Sequence, residues 1–106
     1  MKQIFIILTV INSFSLFTQN LVPNPSFEDT LTCPAGLGEI YNSPPWFNPT
    51  FSSPDYFNQC YNGATFAKPD VPDNYWGHQY AKTGIAYSGI GGVYVGGNVR
   101  EYIEIR

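Results

Sequence analysis

Residues 77–106 read GHQYAKTGIAYSGIGGVYVGGNVREYIEIR, and this stretch decides the fold class. Seven of the ten glycines of the chain fall between Gly77 and Gly97, with Ile, Val and Tyr interleaved among them. Strand candidates are Gln79 to Tyr87, Gly92 to Val95 and Arg100 to Arg106. Side chains alternate along a strand, so Val93 and Val95 share one face, Tyr94 takes the other, and Ile103 pairs with Ile105. The Gly-Gly and Gly-Asn pairs supply tight-turn chemistry, which points to antiparallel hairpins. No apolar period of 3.6 residues runs through residues 20–106, and nine Pro with ten Gly interrupt the chain at short intervals. Long helices are therefore excluded and the class is all-β.

Upstream of that stretch, residues 43–73 read as a long loop. Pro44, Pro45, Pro49, Pro54, Pro69 and Pro72 remove donors that a central strand needs. A loop of this length in a compact domain is functional or tied down, and Cys60 supplies a tie. Leu21 and Val22 precede Pro23 and Pro25, which confine that piece to a sheet edge or a bulge. Phe27 is expected to point inward, and Gly36 to Tyr41 to form a brief extended piece. At the other end, Tyr102 to Ile105 reads as a strand in mid-course. The chain is thus expected to be the first part of a larger sandwich, and residues 20–106 alone to be poorly stable and prone to aggregate.

The opening residues carry one positive charge at Lys2, an apolar run from Ile4 to Ile11, then a polar stretch to Asn20. Basic, apolar and polar segments in that order mark a secretory signal peptide, placed at residues 1–19. The apolar run is too short for the ~20 residues of a membrane span. Residues 20–106 then form one small domain, exported to an extracellular, periplasmic or outer-membrane surface location. Cys33 and Cys60 both follow the leader, and in an oxidising compartment they are expected to pair as a disulfide. With His78 they do not make a four-ligand metal cage.

Charged residues make up 12% of the chain and aromatics 17%. That balance argues against disorder. Nucleic acid is an unsuitable partner too, since only Lys68, Lys82, Arg100 and Arg106 remain after Lys2 to meet phosphate.

No residue pattern specifies catalysis. His78, between Gly77 and Gln79, is the single histidine and lacks an evident nucleophile and acid for a triad. Gly89 to Gly92 lacks the Lys-Ser or Lys-Thr of a phosphate-binding loop and reads as a turn. Glu28 and Asp29 are adjacent, so on a strand they face opposite ways, and Asp70 and Asp73 sit among prolines as turn residues. Glu28 remains a candidate ligand for a structural calcium ion, which accepts carboxylate and carbonyl oxygens from irregular loops. The aromatic residues are the other feature, because rings stack on sugars as readily as they fill a core. Trp46, Tyr56, Trp76 and Tyr80 are the candidate ligand-binding residues, and loop-borne Trp46 and Trp76 are expected to be the exposed ones.

Asn20 to Glu28 spell NLVPNPSFE, which resembles the opening of galactose-binding-like jelly rolls of the carbohydrate-binding-module type. These begin Asn-apolar-apolar-x-Asn-x-x-Phe-Glu and reach a Trp after a short loop, here Trp46 in PPWF. SPDYFNQC (53–60), VPDNYWGHQ (71–79), TGIAYSG (83–89) and REYIEI (100–105) are similar to modules near the N-termini of exported Bacteroidetes proteins, ahead of OmpA-like domains or type IX secretion signals. The resemblance spans residues 20–106, with Pro25 where that family commonly has Gly. It implies the N-terminal part of an incomplete β-sandwich, without catalytic residues, that binds glycan or another cell-surface ligand. The alternatives are a structural spacer without ligand and an accessory fragment of a secreted hydrolase. A spacer expects Trp46 and Trp76 buried, a binding module expects a ring lining an open groove, and a hydrolase expects converging acids or His78 facing an acid in a cleft.

Overall fold

The computed structural model of the chain describes residues 19–94, 97–98 and 100–106. The leader expected at 1–19 lies outside the described residues except for Gln19, as does Val95 of the strand expected at Gly92 to Val95. The elements are one 3-10 turn, Ile40–Asn42, and six short strands: β1 (Asp55–Asn58), β2 (Asp73–Asn74), β3 (Gly77–His78), β4 (Ala86–Gly89), β5 (Val93–Tyr94) and β6 (Gly97–Asn98). They pair antiparallel as β1 with β4, β2 with β3 and β5 with β6. An isolated antiparallel bridge adds Phe47 and Glu104. The described chain is β-rich and mostly non-helical, as its glycine and proline spacing requires.

The centre is β1, inside the segment expected to be loop. All four of its residues, Asp55, Tyr56, Phe57 and Asn58, are buried. A strand covered on both faces shows no apolar alternation, and Pro54 immediately before it disguises it further. Alternation survives in direction. Tyr56 and Asn58 point to one side, where the Tyr56 hydroxyl donates to Phe27 O (2.8 Å) and Asn58 Nδ2 donates to that hydroxyl (2.8 Å). Asp55 and Phe57 point to the other side. Burial of Tyr56 and Phe57, which are 0% and 2% exposed, contributes roughly 1.5–3 kcal/mol each.

On the Tyr56 side, the NPSFE turn folds into a hydrogen-bonded knot. Asn24 Nδ2 donates to Pro44 O (2.8 Å), Ser43 Oγ (3.0 Å) and Asp29 O (3.0 Å), while Asn24 Oδ1 accepts from Asp29 N (3.0 Å). Asn24 and Phe27 have φ of 46° and 60°. A left-handed Phe costs ~1–2 kcal/mol, and it is held by the Tyr56 hydroxyl and by Trp46, whose ring stacks on Phe27 with centroids 5.0 Å apart. Leu21 and Val22 pair with no strand, so the expected edge strand is absent there. The prolines and the Asn24 turn take that backbone out of any ladder. Gly36 to Tyr41 is likewise not extended, since Ile40–Asn42 closes into the 3-10 turn through Ser43 N to Ile40 O (3.0 Å).

Cys33 and Cys60 form the disulfide, with Cα atoms 5.9 Å apart and 27 positions between them. It ties the segment before the 3-10 turn to the end of β1. The strand expected over Gln79 to Tyr87 begins only at Ala86, because Thr83 and Gly84 turn the chain instead. Arg100 to Arg106 contributes a single bridge at Glu104 rather than a full strand.

Candidate functional site

The Asp55 side of β1 opens into a cleft of about 790 Å³. Phe57 of β1 and Tyr87 of β4 are directly opposed in register, with ring centroids 5.0 Å apart, and form its aromatic floor. Gly89 stands opposite Asp55, and a Cβ there would meet the Phe57 ring at 2.7 Å. The site needs glycine at that point for the ring to lie against the strand.

One wall is the β2–β3 hairpin. Asp73 pairs with His78 and Asn74 with Gly77, leaving Tyr75 and Trp76 as a two-residue tip. Gly77, with φ 146°, provides the backbone that this tight turn requires. The hairpin is anchored to the floor by Asn74 Nδ2, which donates to the Tyr87 hydroxyl (2.5 Å). The indole of Trp76 is 70% exposed, yet fixed: its Nε1 donates to Asp55 Oδ2 at 2.7 Å. The other Asp55 oxygen accepts from Gly38 N at 2.7 Å.

Glu101 closes the opposite end. Its Oε2 accepts from Gly91 N (2.5 Å), and its Oε1 accepts from Ser53 N (3.2 Å) and Ser53 Oγ (3.3 Å). Burial pushes the Asp55 carboxyl above its ordinary range. The hydrogen bonds from Trp76 and Gly38 oppose that rise, and the Glu101 charge adds to it. On the rim, His78 Nδ1 lies 2.6 Å from Asp73 Oδ1, and that bond holds the Asp73 carboxyl below its ordinary range. Burial likewise raises the Tyr87 hydroxyl.

Of the four aromatic candidates, Trp76 alone lines this cleft. Trp46 lies half-buried on the other side of β1, with its Nε1 donating to Asn24 O (2.8 Å), so the exposure expected of it is not found. Tyr56 is enclosed in the knot, because its hydroxyl is needed to hold Phe27 O. Tyr80 is exposed and packs edge-on to His78 at 5.2 Å, outside the cleft wall. Glu28 Oε1 accepts from Ile85 N (2.9 Å) and Ala86 N (3.1 Å), so its carboxylate ties the start of β4 to the NPSFE turn through backbone donors. Among the described residues, no group of three or more His, Cys, Asp and Glu side chains is placed to hold a metal ion.

No family model, curated protein or solved structure matches this chain. What the site can do must therefore be read from its own residues. The sequence did not single out Asp55, Asn74, Tyr87 and Glu101. The available signal was DYFN between Pro54 and Cys60, a run with polar ends around two aromatics. Among the described residues, no helix is long and apolar enough to cross a membrane.

Proposed function

We propose that this chain is an exported, non-catalytic module of β-sandwich type that binds a saccharide at a cell surface, as part of a larger secreted or outer-membrane protein. The observation that carries the reading is the Trp76 indole, exposed at the mouth of an aromatic cleft and locked by its bond to Asp55. Sugars bind by laying apolar C–H faces on such rings while hydroxyls meet fixed polar groups. Asn74, Gln79 and Glu101 line the same cleft and carry such polar groups. The crossover of β1 to β4, which pair across the intervening β2–β3 hairpin, is compatible with a jelly-roll layer. The disulfide supports a location in an oxidising compartment.

The test is binding of the full-length product to a panel of soluble oligosaccharides by calorimetry. At least one is expected to bind, and Trp76→Ala is expected to weaken it about tenfold, the scale of one lost aromatic platform. A chain that binds none of them, or whose binding ignores that substitution, would sink the reading.

A second reading, a fragment of a hydrolase, is favoured by one observation: Asp55 and Glu101 share the cleft, and Asp55 is shifted towards the protonated form. Paired carboxyls with separated pKa values are how glycosidases divide acid from base. Release of reducing ends from any bound oligosaccharide would establish it.

A further inference from the structure

The cleft is one-sided in charge. Asp55 and Glu101 place two carboxylates in its wall, and no Lys or Arg stands among its described lining residues. The two are near enough for the charge on Glu101 to act on Asp55, which is buried. Like charges held in a partly desolvated wall attract a cation more strongly than either would in bulk solvent. The exposed ring of Trp76 adds a second attraction for a cation. His78 on the rim is turned to Asp73 and does not neutralise either carboxylate.

Resting on the saccharide reading above, we propose that the cleft selects a polymer of hexosamines with free amino groups over neutral and acidic saccharides. A hexosamine brings, in one rigid unit, a C–H face for Trp76, hydroxyls for Asn74 and Gln79, and an ammonium one bond from the ring for the half-buried Glu101, with the Asp55 charge behind it. A uronic acid or sulfated sugar meets the same field with the wrong sign.

The experiment is calorimetry on the full-length product at about pH 6.5, where the amine is protonated, with oligomers of glucosamine, N-acetylglucosamine, glucose and galacturonic acid. The glucosamine oligomer is expected to bind about tenfold tighter than the glucose oligomer, the gain of one charge-assisted hydrogen bond. Glu101→Gln is expected to shrink that preference to less than about threefold. Since this variant also loses an acceptor used by the backbone, a salt series on the unaltered protein provides a second readout. There the preference is expected to fall severalfold between about 50 and about 500 mM sodium chloride. Neutral oligomers that bind as tightly as the amino oligomer, in a Trp76-dependent way, overturn the amine selectivity and leave the saccharide site standing. Binding of none of the four overturns both, and an affinity for the amino oligomer that Trp76→Ala leaves unchanged overturns its assignment to this cleft.

Discussion

Around Asn24, side chains bond to backbone from three directions, and the rings of Phe27, Trp46 and Tyr56 are covered or half covered. Around Trp76, short hairpins and glycines surround a space, and the rings face into it. Both regions are built on β1. The difference lies in where polar groups find partners. In the knot they are satisfied internally, so the region specifies a shape. In the cleft, the exposed Trp76 is held by the buried Asp55 carboxylate, and Glu101 lines a space that no side chain fills. On the binding reading, stability and recognition fall to opposite faces of one strand.

That division can be broken most forcefully at Tyr56. Replacing it with Ala removes a fully buried ring and the partner of Phe27 O, and is expected to cost roughly 3–5 kcal/mol. Urea denaturation should show a variant close to unfolded. A near-native midpoint would mean that the knot does not support the fold.

A smaller effect is expected at Gly84. Its φ is 67°, and a Cβ added there would run into the Glu28 carboxylate. Gly84→Ala should cost ~1–3 kcal/mol, from the left-handed backbone and the displaced acceptor of Ile85 N and Ala86 N. The same substitution at Gly92, where a Cβ meets nothing within 4 Å, serves as its control. Equal denaturation midpoints for the two variants would show that Glu28 does not clamp β4.

The smallest effect is one of pH. Burial raises the pKa of Asp55, so in the folded state this carboxyl holds a proton above 3.8, where the unfolded chain has released it. Its contribution is therefore fully present below that value and is lost as pH rises through the raised pKa. Asp73 acts in the opposite sense. Its lowered pKa gives a contribution present above 3.8 and lost as pH falls below it. Asp55→Asn should flatten the decline of stability as pH rises above 3.8, measured by urea midpoints. An unchanged slope would show that Asp55 is as well solvated as in the unfolded chain.

The glycine and proline spacing made legible that the described residues form no long helix, and the two cysteines on the exported reading made their pairing legible. The NPSFE landmark was visible, but its work was not. Asn24 acts by wrapping its amide around Ser43 and Pro44, and no local propensity encodes a bond across some twenty positions. The strand β1 was hidden because burial on both faces erased its alternation and Pro54 stands at its start. Trp76 was correctly expected to be exposed. Trp46 was not, since its Nε1 found a carbonyl in the Asn24 turn and drew the ring onto Phe27. Asp55 and Glu101 lie 46 positions apart, and their meeting depends on Ser53 and Gly91 being brought together by tertiary structure.

The opposed directions of neighbouring side chains on β1 have one more consequence. Asp55, Tyr56, Phe57 and Asn58 serve the two halves of the molecule by turns, so the strand has no idle face on which replacements could accumulate harmlessly. On the binding reading, drift towards a different ligand must begin elsewhere, on the hairpin tip at Tyr75 or in the glycine segment at Gly92, where an added Cβ meets nothing within 4 Å.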